Sequence, residues 1–448
     1  MLCACSVGPA YKRPDIPLPA AWRETPDDAT AVWPSSDWWH GFGSQKLDEL
    51  IAEAQRSNDD LGVAIARIQE ADAQARIAGA ALLPSLDLGA TASRQHTQLT
   101  SATRPGTFNT FSPELTASYE IDFWGKNRAL KDAARATAIA SHFDKETVAL
   151  TVISSVATTY FQALEFRDRL QVARENLVNG EKVLHGLQLQ QTAGIATGLD
   201  VAQQETAVAL LSAAIPPLQQ QFRQSVNALA VLVGKTPESI DVDTGTLNAL
   251  TTPQLTEGLP SQLLARRPDV AESEQQLISA NADITVARAA LFPSIQLTAS
   301  GGYASSALAS LISPANRIWA LSAGLTQPIF RGGALRGQVV FSNARYRELL
   351  SAYHKTVISA FSNVEDALVA AQQTKEQQTR QQDAVNKARR AFQFAQTQMS
   401  AGTVNILTVL NTENALFSAQ DALVQIQFLH LQSMVDLYTA LGGGWQQG

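Results

Sequence analysis

Residues that could carry out chemistry are present in this sequence, but they lack the spacing that catalysis or metal binding requires. Its six histidines are scattered singly, and no Gly-x-Ser-x-Gly, Cys-x-x-Cys or P-loop pattern occurs. The run from Gly332 to Gly337 has the wrong glycine spacing for a phosphate loop, and a turn between a strand and a helix explains it better. The run from Asp241 to Gly245 lacks the later Glu of a calcium loop. The sequence therefore predicts no enzyme, no metal and no cofactor.

Both cysteines lie within the first five residues, which excludes a disulfide scaffold. Leu2-Cys3-Ala4-Cys5 has the Leu-x-small-Cys form of a lipoprotein processing site. We therefore expect Cys5 to be lipidated and the sequence to begin inside its signal peptide. The alternative is that two cysteines fall near the terminus incidentally.

Composition excludes several classes of protein. The chain has 448 residues, of which 45% are hydrophobic, and a net charge of -7. This apolar fraction excludes disorder over most of the chain, and the lack of a sustained Lys/Arg run argues against nucleic-acid binding. A membrane-spanning helix needs about 20 mostly apolar residues, and the nearest candidate, residues 147–164, is uncharged but rich in Ser and Thr.

Proline placement predicts very long helices. No proline occurs between Pro113 and Pro216, or after Pro328. Because an interior proline costs a helix about 3 kcal/mol, these tracts leave room for uninterrupted helices. Apolar residues recur there at steps of three and four, so we expect one helix from Asn127 to about Thr192. A helix of that length is on the order of 100 Å long, which requires an extended bundle, tube or coiled coil.

Four short segments alternate polar and apolar residues with a period of two, which is typical of outer-membrane β-strands. A soluble sheet with one wet face would show the same alternation. The predicted strands are residues 85–94, 112–122, 294–303 and 318–327.

An internal repeat connects these pieces. Ala80-Ala81-Leu82-Leu83-Pro84-Ser85 recurs as Ala289-Ala290-Leu291-Phe292-Pro293-Ser294, and Gly194 and Glu205 match Gly402 and Glu413. Each half therefore supplies one hairpin between helices. Four strands cannot close a barrel, and open edges are costly in lipid, so several chains must share one barrel. Three chains would give twelve strands, although the same arithmetic permits two or four.

Six stretches, in order along the chain, resemble the TolC-like outer-membrane factor family. The similarity is to its lipoprotein branch, which serves resistance-nodulation-division (RND) efflux pumps. The matching stretches are Cys5–Pro14, Tyr119–Gly125, Arg266–Val270, Ala287–Ser294, Pro328–Gly333 and Leu437–Trp445.

The resemblance implies a mainly α protein with membrane β-structure. A homotrimer would combine a twelve-stranded transmembrane β-barrel in the outer membrane, a twelve-helix periplasmic α-barrel and a mixed α/β equatorial belt. The implied partners are a periplasmic adaptor (membrane fusion protein), an RND-type inner-membrane transporter and outer-membrane lipid. The expected domains are an N-terminal lipoprotein tail (5–44), a first repeat (45–233), an equatorial connector (234–260), a second repeat (261–441) and a C-terminal tail (442–448).

Two helix-to-helix turns are the candidate contact sites for the adaptor, because in the family such turns form the periplasmic tip. From spacing alone they are ordinary turns, in which Gly194 and Gly402 end one helix and Thr197 or Asn405 caps the next. Ala202 and Thr408 depart from the family's usual Leu and Asp. The candidate contact residues are Gly194, Thr197, Leu199, Asp200, Val201, Gly402, Asn405, Val409 and Leu410.

The resemblance also places the gate at this tip, with Leu407, Asn411 and Glu413 as its candidate residues. The family's usual carboxylate is an amide at Asn411. We therefore expect a gate held by packing and amide hydrogen bonds that depends weakly on pH, although Glu413 lies nearby.

Four acids on the polar faces of the predicted strands give a candidate ion-selective lumen. Asp87, Glu114, Glu120 and Asp122 have few basic residues around them in the sequence. If these faces line the lumen, its mouth should prefer cations. The alternative is that some of these acids pair with arginines such as Arg94.

These observations together predict a passive exit duct for small molecules and drugs, closed at its periplasmic end until its partners engage it. One alternative is the outer channel of a type I protein secretion system, which has the same fold. Another is a soluble coiled-coil structural protein.

Overall fold

The protein is described here by a computed structural model covering residues 7–17, 19, 22, 33–98, 106–242, 245–253 and 263–445. Eight α-helices and one four-stranded sheet make up most of these residues. The helices are α1 (Gln45–Ser57), α2 (Asp59–Ala80), α3 (Lys126–Thr192), α4 (Gly198–Ala213), α5 (Ile215–Leu232), α6 (Pro268–Ala289), α7 (Ala334–Ser400) and α8 (Ile406–Ala440). The strands are β1 (Ser85–Thr97), β2 (Gly106–Ile121), β3 (Ser294–Tyr303) and β4 (Arg317–Thr326).

The predicted long helix is confirmed, since α3 runs without a break over 67 residues, and α7 has the same length. Between α4 and α5 the helix is interrupted at Ala214, just before Pro216 and Pro217, which lack the N–H groups needed to continue it. By length and composition α3 is the one described helix that could cross a membrane. Of its most apolar 18-residue stretch, 44% is buried inside the structure.

The sheet has the antiparallel order β1-β2-β3-β4. Its register pairs Leu88 with Leu115, and Tyr119 with Leu297, so apolar side chains of adjacent strands share one face. Asp87 pairs with Thr116 on the opposite face. The predicted alternation is therefore confirmed across all four strands.

The first hairpin is longer than the sequence pattern predicts. β1 continues to Thr97, and β2 begins at Gly106 instead of residue 112. At this end both faces carry polar residues such as Asn109 and Thr110, so the alternation fades while the backbone pairing continues. Residues 99–105 lie outside the described part of the chain.

The chain divides into two compact units. The first comprises the described residues up to Ile16 with Ala66–His142 and Glu272–Lys355, and the second comprises Pro17–Ile65, Phe143–Ala271 and Thr356–Gly448. The first unit contains the whole sheet and the helix segments that join its strands.

In the first unit, the N-terminal segment is fixed to α6. Arg13 forms a two-pronged ion pair with Glu274, which also accepts a hydrogen bond from the Tyr11 hydroxyl at 3.2 Å. Further along α6, the amide of Asn281 donates to the carbonyl oxygen of Pro9 at 3.0 Å. The segment therefore runs from residue 13 back to residue 9 in the direction of the α6 C-terminus, which leads into β3.

In the second unit, aromatic side chains form the centre of the core. The Trp38 and Tyr438 rings stack at 4.7 Å, and Phe42 packs edge-on against Phe161 at 5.0 Å. These contacts join the segment before α1 to α3 and α8. The core therefore fixes the positions of helices far apart in the sequence.

The expected connector, residues 234–260, packs against the same helices where it is described. The backbone N–H of Leu247 donates to the Asp168 carboxylate at 2.8 Å, and the Gln427 amide donates to Asn248 at 2.8 Å. Two short 3-10 turns, Pro237–Ser239 and Leu247–Ala249, give the segment its shape. Residues 243–244 and 254–260 lie outside the described residues.

Candidate functional site

The two candidate turns have nearly identical geometry at the end of the first helix. Gly194 and Gly402 have positive φ angles of 76° and 74°. The N–H of Gly194 donates to the carbonyl oxygen of Gln191, and that of Ile195 to Gln190, both at 2.9 Å. The second turn repeats this pair of bonds after α7. This arrangement satisfies carbonyl groups that a helix end leaves free, and a left-handed residue is needed to form it.

The second helix of each turn begins with a side-chain cap. Thr197 and Asp200 form a reciprocal capping box, in which the N–H of Asp200 donates to the threonine hydroxyl at 3.2 Å and the N–H of Thr197 donates to the aspartate at 2.8 Å. The Thr197 hydroxyl and backbone hold the pKa of Asp200 below its usual range. At the second turn, Asn405 accepts from the N–H of Thr408 at 3.3 Å. The predicted capping roles are confirmed.

Beneath the turns, an apolar cluster fixes the four helix ends together. It contains Leu187 from α3, Phe392 from α7 and Ile406 from α8. Val201 and Val409 also belong to it and are 7% and 0% exposed. Both were expected among the contact residues, but their side chains are enclosed in the chain's own core and present no surface to a partner.

The exposed apolar side chains of the tip lie elsewhere. Leu199 is 66% exposed, and Ile195, which sequence reasoning missed, is 76% exposed. A residue that follows a helix-ending glycine normally packs back onto that helix, so the position of Ile195 in the sequence hid its exposure. Together Ile195 and Leu199 give this turn an apolar surface.

The candidate gate residues do not lie together. Leu407 is half exposed and Asn411 is exposed, and both line an open groove of about 430 Å³ between α4 and α8. Leu410, one of the expected contact residues, lines the same groove. Glu413 is only 3% exposed and lies in the protein interior. Of the three candidate gate residues, Leu407 and Asn411 therefore share one exposed surface, whereas Glu413 is buried.

The buried environment of Glu413 is formed by α3 and α4. A Cβ atom at Gly180 on α3 would lie 3.4 Å from its Oε1 atom, so the absence of a side chain there leaves room for the carboxyl group. Burial raises the pKa of Glu413, and the nearby amide of Gln204 offsets this only in part. Sequence reasoning missed Gly180 and Gln204, because neither is close to Glu413 along the chain.

The four strand acids separate into two pairs. Asp122 follows β2 and caps α3, since its carboxylate accepts from the N–H groups of Asn127 and Arg128 at 2.9 Å and pairs with the Arg128 guanidinium at 3.0 Å. Burial opposes its ionisation, but these donors outweigh burial and lower the pKa of Asp122. Glu120 pairs with Lys126 at 3.2 Å.

The other two acids, Asp87 and Glu114, share the polar face of the sheet, and no ion pair to either occurs among the described residues. Arg94, the partner considered from sequence, lies on the opposite face, where it pairs in register with Asn109. The fixed negative charge of the polar face is therefore carried by Asp87 and Glu114.

Two further sequence predictions concern Cys5 and metal binding. Cys5 lies outside the described residues. Over residues 7–98, 106–253 and 263–445, apart from the gaps given above, no cluster of His, Cys, Asp and Glu has the arrangement of a metal site.

Comparison with known proteins identifies relatives over the whole chain. The family model described as "Outer membrane efflux protein" matches residues 50–235 and 259–443. The pyoverdine export outer membrane protein OpmQ of Pseudomonas putida is 39% identical over 99% of this chain and 96% of its own length. The cation efflux system protein CusC of Escherichia coli is 32% identical over 100% of this chain and 97% of its own. The solved structure of the outer-membrane channel OprN superposes with a TM-score of 0.94 at 26% identity, covering 99% of this chain and 100% of that one.

The capping box yields a testable expectation. Replacing Thr197 with Ala removes the acceptor for the Asp200 N–H and should cost the start of α4 about 1 kcal/mol. Hydrogen exchange of the first-turn amides should therefore be faster. Thr206→Ala, which changes an exposed threonine on the same helix, is the control and should leave those amides unaffected. Equal exchange in the two variants would contradict a stabilising cap.

The same cap should weaken in acid. Because the pKa of Asp200 is lowered in the folded protein, its stabilisation is complete above the pKa of an unfolded aspartate and is lost as the pH falls through the lowered value.

Proposed function

This chain belongs to the outer membrane efflux protein family, and we propose on that premise that three copies build one conduit for small molecules. The protein is an outer-membrane channel of a tripartite efflux system. One observation carries the proposal: the same chain contains a sheet that is apolar on one face and two helices of 67 residues. In this arrangement the sheet spans the lipid and the helices enclose the periplasmic part of the path.

The sheet itself supports assembly from several chains. Each chain supplies four strands, and β1 and β4 are paired on one side only. Joining β4 of one copy to β1 of the next closes a twelve-stranded barrel with three copies, in which no edge faces lipid. The two sequence repeats would then supply alternate hairpins around the barrel, and the helices that follow them would form a twelve-helix tube with an equatorial belt around it.

The tip supports engagement by an adaptor. Leu199 and Ile195 present apolar surface at one turn, and the groove lined by Leu407 and Asn411 opens beside the other. A periplasmic adaptor bound here would link the conduit to an RND-type inner-membrane transporter. The chain contributes passage and a gate in this scheme, while the transporter supplies the energy, so no catalytic group is required.

Lipidation of Cys5 is part of the proposal. The described segment runs along α6 toward β3, and Gly8 reaches Thr285 near the end of that helix. An acyl group on Cys5 would therefore precede a described segment that follows α6 in the direction of the sheet. Intact mass spectrometry of the membrane-extracted protein should show acyl groups that Cys5→Ala lacks, and an unmodified mature Cys5 would remove this part of the proposal.

Small molecules are favoured over proteins as cargo. OpmQ is named for pyoverdine export and CusC for cation efflux, and neither name refers to a secreted protein. The type I secretion alternative is tested in a host that lacks its own outer-membrane factor. With an adaptor and an RND-type transporter supplied, the chain should restore efflux of a fluorescent dye. Secretion of a type I protein substrate without any dye efflux would favour the alternative.

The number of chains in the assembly and its gate are tested by the mass of the complex and by channel conductance. Purified in detergent, the protein should have the mass of three chains, and in a planar bilayer it should form channels of low conductance, because the tip is closed. Leu407→Ala combined with Asn411→Ala removes side chains from the proposed gate and should raise the conductance. Leu189→Ala, which truncates an exposed leucine on α3, is the control. A monomeric protein, or a conductance raised equally by the control, would contradict the proposal.

Ion selectivity tests the assignment of the polar sheet face to the lumen. With Asp87 and Glu114 unpaired, the reversal potential under a salt gradient should indicate cation preference. Asp87→Asn with Glu114→Gln should reduce that preference. Arg94→Gln, on the opposite face, should leave it unchanged. A larger effect from Arg94→Gln would place the other face in the lumen.

A further inference from the structure

Two buried acceptor atoms occur where α3, α4 and α8 meet in the second unit. Gln204 on α4 is fully buried, and Glu413 on α8 is 3% exposed. The Oε1 atoms of both side chains lack a hydrogen-bond donor among the described residues. The amide nitrogen of Gln204 donates to the carbonyl oxygen of Gly180 at 3.0 Å. An ionised Glu413 would therefore leave two neighbouring buried acceptors unsatisfied, which is costly in a protein interior.

A single proton satisfies both atoms. A protonated carboxyl group is a donor as well as an acceptor, and the Gln204 amide oxygen is an acceptor without a donor. We propose that Glu413 is protonated while these helices are packed together, that its hydroxyl donates to Gln204, and that loss of this proton releases α8 from α3 and α4. The proton passes to water, and the carboxylate becomes hydrated as the helices separate.

No charged group competes with this arrangement. The charged or titratable side chains nearest along the packed helices are Glu181, Lys182 and His185 on α3 and Glu205 on α4, and all four are exposed. Arg389 and Arg390 on α7 are exposed too. None of them contributes to the raised pKa of Glu413, which burial alone causes.

The helices pack closely around Glu413, so a change in its protonation state affects their packing. A Cβ at Gly180 would lie 3.0 Å from Leu211 and 3.4 Å from the Glu413 carboxylate. At Gly180 the helices therefore meet without a side chain from α3. Glu413 lies about 12 Å along α8 from its N-cap Asn405, at 1.5 Å per residue. A separation of the helices at Glu413 therefore reaches the tip through fewer than three turns of α8.

The hydrogen bond from protonated Glu413 to Gln204, here called the latch, is argued from the packing within this chain. Its consequence for the conduit rests on the proposed function. If the tip is the gate, deprotonation of Glu413 loosens it, and conductance rises with pH. Asn411, from which weak pH dependence was expected, is not the titrating group. The proposal thus differs from the weak pH dependence expected from Asn411, because it places the titrating group inside the chain.

The internal repeat supplies a matched control. Glu205 occupies the position in the first repeat that Glu413 occupies in the second, but it is exposed. Glu413→Gln keeps a donor for the Gln204 oxygen and carries no charge, so it mimics the protonated latch permanently. Glu205→Gln removes a carboxylate of the same type from the same helix pair and leaves the latch intact.

The experiment uses the full chain, purified in detergent, between about pH 5 and pH 8. The folded-state pKa of Glu413 is raised, so the folded state keeps its proton longer and stability falls as the pH rises from the unfolded-state pKa to the folded one. The Tm of the wild type and of Glu205→Gln should therefore fall over this window. The fall should be smaller in Glu413→Gln, where only other buried acids with a raised pKa, such as Glu165 and Asp168, still contribute to it. An unchanged fall in Glu413→Gln overturns the proposal.

Two further measurements keep the test decisive if Glu413→Gln folds poorly. Infrared difference spectra of the wild-type protein should show loss of a protonated carboxyl band over the same window, and absence of that band at its lower limit overturns the proposal. Gln204→Glu places two carboxyl groups around one proton and should shift the transition to higher pH. A channel that never conducts would refute the proposed function, while the Tm and infrared titrations would still judge the latch.

Discussion

The backbone hydrogen bonds at the two edges of the sheet constrain everything else in this molecule. Among the described residues of one chain, β1 and β4 each leave a row of N–H and C=O groups without a strand partner. In lipid each unpaired group costs several kcal/mol, so a chain of four strands is incomplete as a membrane protein. The outward-facing apolar residues, such as Leu88 and Leu321, favour insertion, but the edges prohibit it for a single copy. The proposed assembly follows from these two opposed demands.

The junction between strand and helix explains how one chain serves two environments. Four residues separate the end of β2 at Ile121 from the start of α3 at Lys126. Asp122 caps the helix, and the Trp124 ring stacks on Phe292 at 4.6 Å while its indole N–H donates to the carbonyl oxygen of Pro293 at 2.8 Å. These contacts fix the direction of the helix relative to the strand within the first unit. A flexible linker at this position would not fix the direction of the helix relative to the sheet.

Sequence reasoning succeeded where a feature depends on neighbours along the chain. The length of α3 follows from the missing prolines, the sheet faces follow from period-two alternation, and the Thr197 cap follows from its place just after the helix-ending Gly194. It failed where a feature depends on which helix face meets which partner. Val409 and Asn411 are two residues apart, yet one is enclosed and the other exposed, and the packing of the four helix ends in the apolar cluster decides this.

Glu205 and Glu413 show how packing creates chemistry that a repeat does not encode. The two halves place a glutamate at the same distance from the same turn, and both helices begin with a polar cap. Glu413 packs against Gly180, which leaves room for its carboxyl group. It also lies near Gln204, whose Oε1 atom lacks a hydrogen-bond donor among the described residues. Glu205 is exposed to solvent. A duplicated segment can thus retain its fold while one copy alone gains a group whose charge depends on helix packing.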